Sequence, residues 1–245
     1  MRFLLYNLRY CTGAGAGFHL PFPGSGYLRR TTRNLRRITS FIRDRAPDVV
    51  GLLEVDGGSF RSRRTNQAQY IAEALGHYHC FESKYGEHAL VRSLPVMNKQ
   101  VDAILSGPAI EHQSFHYFNH GVKRLVIELE LHDVTIFLVH LSLKYRHRHY
   151  QLRDFSAMIK EVRKPRIVAG DFNVAGGERE LELFLGATGL KNANVHDIPS
   201  YPSWGPHREL DYVLHSPGIT VRNFSIPRVN YSDHLPLICD FDVEH

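Results

Sequence analysis

Six apolar stretches of this chain each end on, or run into, a side chain that can hold a proton, a metal ion or a phosphate. That pattern limits the folds open to it. Phe3-Leu4-Leu5-Tyr6 stops at Asn7, Val49-Val50-Gly51-Leu52-Leu53 at Glu54, and Ile136-Phe137-Leu138-Val139 at His140. Ile167-Val168-Ala169-Gly170 stops at Asp171-Phe172-Asn173, Leu210 precedes Asp211, and Ser232-Asp233-His234 precedes the last apolar run. Each residue alone has an ordinary explanation, such as an Asx turn at Asp171 or a structural histidine at 140. If the strand ends meet at one rim, carboxylates, amides and imidazoles converge over a packed core. An oxygen-rich cluster of that kind suits a hard cation such as Mg²⁺, which takes one or two carboxylates and leaves room for water and phosphate.

Between these runs lie helix signals. A segment capped at Thr31 or Thr32 carries Ile38, Phe41 and Ile42 at helical spacing and is stopped by Pro47. A second helix is expected over Asn66 to Leu75, ended by Gly76, and a third over His149 to Val162, where Leu152, Phe155, Met158, Ile159 and Val162 recur every three or four residues. A shorter fourth covers Arg179 to Leu185. Leu125, Ile127, Leu129 and Leu131 alternate with polar residues, and Val134–Val139, Leu210–Leu214 and Leu235–Phe241 read as further strands. Back-to-back strands imply antiparallel pairs, so the pattern predicts α+β or layered α/β architecture. No linker, repeat or long charge block divides the chain, and one domain over residues 1–245 is expected.

Composition narrows the function classes. The chain is 43% hydrophobic with 30 Lys+Arg against 25 Asp+Glu, a net charge of +5 at pH 7. Those values exclude a mostly disordered chain and a collagen. No apolar run approaches the ~18 residues of a spanning helix, and the apolar run after Met1 is too short for a signal-peptide core. Three cysteines, Cys11, Cys80 and Cys239, are an odd number without a CxxC. A disulfide framework is therefore not expected, and a cytoplasmic location is. The modest basic balance hints at phosphate-bearing ligands.

In chain order, Leu5-Tyr6-Asn7, Leu53-Glu54-Val55, Val139-His140-Leu141, Gly170-Asp171-Phe172-Asn173, Leu210-Asp211-Tyr212 and Ser232-Asp233-His234-Leu235-Pro236 form a recognisable set. The chain resembles the endonuclease/exonuclease/phosphatase superfamily, the DNase I-like fold, over essentially its whole length. The resemblance implies a four-layer α/β/β/α sandwich of two mixed sheets flanked by helices. It implies Mg²⁺-dependent hydrolysis of phosphoesters, phosphodiesters foremost, by in-line attack of water, with Mn²⁺ as a substitute ion. Glu54, Asn7 and Asp233 would hold the metal. Asp171 would orient or deprotonate the water with Asn173, His234 would donate to a phosphoryl oxygen with Asp211 aligning it, and His140 would be a further phosphate donor. A weaker match, Tyr85-Gly86-Glu87-His88 through Val96, makes Tyr85 and His88 expected substrate contacts, with His88 where relatives often carry Asn. Arg9 stands where the abasic-site branch has a metal-holding acid; a cation cannot ligate a metal, so it is expected on the substrate.

Other signals weigh less. Gly13-Ala14-Gly15-Ala16-Gly17 lacks the spacing of a dinucleotide fingerprint, which argues against a nicotinamide enzyme. Phe18 to Tyr27 reads as an apolar loop that packs locally, leans on substrate or touches lipid. His112, His116 and His120 are four apart, but their neighbours do not support a helix. Tyr145-Arg146-His147-Arg148-His149-Tyr150 mixes cations and aromatics, so Arg146 and Arg148 are candidate phosphate contacts, as are Arg61, Arg63 and Arg64. The expected partner is a phosphate-bearing substrate, from nucleic acid to a phospholipid or inositol headgroup, and no protein partner is evident. The non-enzymatic rival is a binding module that recognises phosphate and has lost catalysis.

Overall fold

Strand β1 (Arg2–Asn7) shows why its apolar run has no polar alternation. Its alternate residues face two different buried layers. Phe3 and Leu5 join one cluster with Leu129, Ile136 and Leu138, whereas Leu4 and Tyr6 join another with Leu35, Ile38 and Ile42. A strand covered on both faces has no wet side. The computed structural model describes residues 1–14, 31–85 and 96–244 of the chain, so the Phe18–Tyr27 loop and His88 lie outside the described residues.

Two six-stranded mixed sheets stack face to face. The first runs β11 (Ile219–Ser225), β12 (Leu237–Val243), β1, β2 (Val49–Asp56), β4 (Gln100–Ser106), β3 (Tyr78–Ser83). The second runs β5 (His112–Tyr117), β6 (Leu125–Glu130), β7 (Thr135–His140), β8 (Arg166–Asp171), β10 (Asp211–His215), β9 (Lys191–Asn192). The sheets approach closely: a Cβ on Gly51 would stand 2.9 Å from Leu138 Cδ1. Helices α1 (Thr32–Arg45) and α2 (Gln67–Leu75) cover the outer face of the first sheet through Leu35, Ile38, Ala68 and Ile71. Helices α3 (Tyr145–Lys160) and α4 (Glu182–Thr188) cover the second through Leu152, Phe155, Ile159 and Phe184. This is the four-layer sandwich of the DNase I-like fold.

Each sheet is built around one parallel pair joined by a helix. β1 and β2 pair in parallel with α1 between them, and β7 and β8 do so with α3 between them. The halves thus repeat one arrangement, with antiparallel partners on either side: β12 and β4 in one, β6 and β10 in the other. A parallel pair presents both carboxyl ends at the same edge, where open α/β sheets bind ligands. Asn7 pairs with Leu53, next to Glu54, and His140 pairs with Asp171. The fold therefore brings the polar ends of both central pairs to one rim.

Some boundaries differ from the sequence expectation. Helix α3 starts at Tyr145, one turn before His149, because the Arg148 guanidinium is tied to the carbonyls of Ser142 and Leu143 and to Glu180. Helix α4 starts at Glu182, since Glu178–Glu180 forms a 3₁₀ turn in front of it. Helix α2 starts one residue after Asn66, which caps it by accepting from the backbone N–H groups of Ala68 and Gln69, and Gly76 closes it as expected, at φ 68°. Strands β3, β4, β5, β9 and β11 are additions to the sequence expectation: Gln100, Asp102 and Ser106 interrupt β4, His112-Gln113-Ser114 opens β5 with polar residues, and β9 is only Lys191–Asn192. In β5, His116 pairs with Glu128 at 2.7 Å while His120 stacks on Tyr150, so the His112, His116, His120 series does not converge on one point.

Candidate active site

The Asp171 carboxylate, on the second sheet, accepts a hydrogen bond from Asn7 of the first. Its Oδ2 accepts from Asn7 Nδ2 at 3.2 Å, lies 3.2 Å from His140 Nε2 and stands 3.9 Å from His234 Nε2. Its Oδ1 accepts the backbone N–H of Asn173 at 3.0 Å. Asn173 takes φ 54°, which turns the chain so that its Nδ2 donates to Leu141 O at 2.9 Å. Gly170 makes that approach possible, because a Cβ there would lie 1.8 Å from Val139 O. The glycine of Gly-Asp-Phe-Asn is thus a steric requirement of the β7–β8 pair.

His234 is oriented from the other side. Its Nδ1 lies 2.7 Å from Asp211 Oδ2, which also accepts from Ser200 Oγ at 2.6 Å, and the Tyr201 ring packs 4.8 Å away. Burial alone would lower the imidazole pKa, but Asp211, by charge and hydrogen bond, with Asp171 and Asp233 raises it to about 10. His234 is therefore an imidazolium at neutral pH with an N–H aimed toward Asp171. Asp171, Asp211 and His234 place ligand atoms within 4.8 Å of one another. That spacing lets them hold a metal ion when the His234 ring has lost its proton, and a triad joined by hydrogen bond and charge when it has not.

Glu54 and Asp233 form the second half of the site. Glu54 sits in a bulge of β2 at φ 51°, its N–H donating to Asp102 Oδ1 at 3.0 Å. Burial would raise its pKa, yet Lys123, Lys84, His140 and His234 together hold the carboxyl well below the usual carboxylate range. The Lys123 ammonium is 3.4 Å from Glu54 Oε1 and also contacts His140 Nε2. Asp233 behaves oppositely: burial, reinforced by the charge of Glu54, pushes its carboxyl up despite His234 and Arg9. The negative charge of Glu54 adds to the cost of ionising Asp233, and carboxylates in that relation, with an amide oxygen on Asn7 in the same network, fit a hard divalent cation.

The first strand ends in a turn that serves this cleft. Arg9, Tyr10 and Cys11 take φ 45°, 55° and 59°, a left-handed run that costs energy in L-residues. The turn directs the Arg9 N–H to Asn7 Oδ1 at 3.1 Å and Arg9 Nε to within 3.2 Å of Asp233 Oδ2. Arg9 thus lies in the site, paired to an expected metal holder.

Asn7, Glu54, His140, Asp171, Asn173, Asp211, Asp233, His234 and Arg9 are joined, with Lys123, in one network of hydrogen bonds and ion pairs. Tyr85 is buried beside it, its hydroxyl on Gln100. Arg146 is exposed on α3 over the Tyr150 ring, outside this network. Arg148 departs from the expectation: only 3% exposed, with its guanidinium on Glu180 and two carbonyls, it anchors α3 and has no free face for a phosphate. Arg61 is likewise buried against Asp56 at 2.6 Å, whereas Arg63 and Arg64 are exposed. Sequence reasoning missed Lys123, Lys84, Asp102, Ser200 and Tyr201. None ends an apolar run, and their one sequence signal, a polar residue beside a strand or turn, is shared by most of the surface.

The sequence profile described as the Endonuclease/Exonuclease/phosphatase family matches residues 4–234, from β1 through His234. The chain belongs to that family. A UPF0294 protein of Erwinia tasmaniensis is 32% identical over 112 residues, which cover 45% of this chain and 41% of that protein. The chain thus matches less than half the length of this relative. Among solved structures, an endonuclease/exonuclease/phosphatase family protein from Bacteroides thetaiotaomicron superposes with a TM-score of 0.75 at 15% identity, covering 100% of this chain and 98% of that one. A mannosyl-6-phosphatase from Bacteroides thetaiotaomicron VPI-5482 gives 0.74 at 14% identity, over 99% of both chains. At such identities these likenesses establish the endonuclease/exonuclease/phosphatase fold alone.

Proposed function

We propose that this chain is a Mg²⁺-dependent hydrolase of phosphodiesters. The observation that carries the reading is the one network in which Asp171 is met by Asn7, His140 and His234, with Glu54 and Asp233 joined to it through Lys123 and Arg9. Glu54, Asp233 and Asn7 would hold the cation, which when bound supplies Lewis-acid stabilisation of charge on the phosphoryl group and its leaving oxygen. Asp171, kept ionised against the effect of burial by His140, His234 and Lys123, would orient the attacking water as its hydrogen-bond acceptor; its lowered pKa makes it a weak base, and it takes the proton only as the water oxygen bonds to phosphorus. Asn173 fixes that carboxylate through its own N–H. His234 would donate Nε2–H to a non-bridging oxygen, where charge accumulates as the ester bond breaks. His140 and Arg9 line the same space. The three buried free cysteines support a reducing, cytoplasmic setting.

The net charge of +5 supports a polyanionic substrate, DNA or RNA, over a small phosphomonoester. The named phosphatase with this fold makes phosphomonoesters the second class to test. Hydrolysis of bis-p-nitrophenyl phosphate with Mg²⁺ or Mn²⁺, abolished by EDTA and restored by add-back, is the expected result. Undiminished turnover in chelator contradicts the cation's role, and no turnover with either ion favours the silent binding module. A panel of plasmid DNA, abasic oligonucleotide, RNA, inositol phosphates and sphingomyelin then ranks the substrates.

A further inference from the structure

Lys123 lies in the connection between β5 and β6, outside every motif of the sequence, yet it is built into the network of the site. Its ammonium is 3.4 Å from Glu54 Oε1 and in contact with His140 Nε2, and its charge reaches Asp171 and Tyr85 as well. The side chain remains 19% exposed, so its ammonium is reachable from solvent while its partner His140 is buried.

The backbone around Lys123 is held from α3. Gln151, fully buried, donates from Nε2 to Lys123 O at 2.7 Å and to His120 O at 2.9 Å, while its Oε1 accepts the Ser142 N–H at 2.9 Å. Gly121, at φ 95°, lets this loop close on the bracket, since a Cβ there would stand 2.2 Å from Ser142 Oγ and 2.8 Å from Gln151 Nε2. One buried amide therefore ties the Lys123 loop to the segment that follows His140. A surface lysine needs no such support.

We propose that Lys123 is a substrate-contacting residue. Its ammonium rests on Glu54 and His140 in the substrate-free protein, donates to a phosphoryl oxygen when a phosphoester binds, and meanwhile competes with a divalent cation for the Glu54 carboxylate. The inference rests on the phosphoester reading of the cleft. Its physical basis is charge and reach. An ammonium and a divalent ion repel each other at one carboxylate, and a four-carbon stem lets Nζ swing while the loop stays fixed. The ammonium carries three N–H groups, so N–H donors remain for an oxygen acceptor beside the one that faces Glu54.

The test is Lys123→Gln, with Lys123→Arg keeping the charge. Mn²⁺ binding is read by calorimetry, and inorganic phosphate binding in Mg²⁺ by ³¹P NMR. The glutamine variant is expected to bind Mn²⁺ about tenfold tighter and phosphate about tenfold or more weaker, with arginine restoring both toward wild type. Effects of opposite sign in one variant are the signature, because a merely structural lysine would weaken both with a fall in Tm. Unchanged or weaker Mn²⁺ binding, or unchanged phosphate binding, overturns the proposal. Opposite shifts in a protein that hydrolyses no phosphoester uphold Lys123 and sink the functional reading. Robust Mg²⁺-dependent turnover without those shifts sinks Lys123 alone.

Discussion

His234 Nδ1 and Asp211 Oδ2 meet at 2.7 Å, joining the loop before β12 to the first residue of β10 and turning the other ring nitrogen toward Asp171. Their coupling sets the alkaline limit of the site. With the His234 pKa near 10, the imidazolium persists well above neutrality. In Asp211→Asn the alkaline limb of the rate profile is expected to move down toward the ~6.5 of free imidazole. For stability the sign is the same. A folded-state pKa above the unfolded one contributes stability that is full below ~6.5 and lost as pH rises through about 10. Superimposable alkaline limbs for parent and variant would refute the coupling.

Asp171→Asn and His234→Ala remove groups that act on the reacting atoms. Each is expected to lower kcat by ~10²–10³ or more under saturating Mg²⁺. Turnover near the parental rate in purified, folded variants would take these roles away.

Glu54→Gln keeps the shape and removes the charge. Mn²⁺ binding by calorimetry is expected to weaken by about a hundredfold or more, on the scale of ~1.4 kcal/mol per tenfold. Its carboxyl is held low in the protein, so the acid limb of turnover above pH ~4 is not expected to arise from Glu54. The same depressed pKa contributes stability above ~4 that is lost as pH falls through the folded-state value. Unaltered Mn²⁺ affinity would move the cation elsewhere.

Arg148→Met leaves Glu180 and two carbonyls without their partner. Breaking a buried pair costs ~3–5 kcal/mol; Glu180 is partly exposed, so about 3 kcal/mol by urea unfolding is expected, with KM unchanged. Arg146→Ala, at an exposed position outside the network, is expected to leave the urea midpoint unmoved. The reverse pattern would return Arg148 to the substrate.

Gly170→Ala puts a methyl against Val139 O at 1.8 Å, which the parallel β7–β8 pair cannot absorb without separating. Loss of soluble, folded protein, or destabilisation of more than about 3 kcal/mol, is expected. A variant that melts with the parent would disprove the steric reading.

Asn7, Glu54, His140 and Asp171 were legible in the sequence because each ends a run of apolar residues, and burial of such runs places their ends without reference to detail. Asp211 and Asp233-His234 were legible through short motifs of fixed order. The helices over the first sheet were legible because α1 keeps one apolar face and α2 carries its own cap and stop. Arg148 was misjudged because charge and aromatic neighbours look alike in a binding patch and in a helix anchor; the difference is Glu180, distant in the chain. Lys123, Lys84, Asp102 and Ser200 could not be found at all. Local sequence fixes where a strand ends and what chemistry stands there, since that depends on neighbours along the chain. Which cation faces Glu54, and which hydroxyl steadies Asp211, depends on how loops cross between the sheets, and only the packed structure decides it.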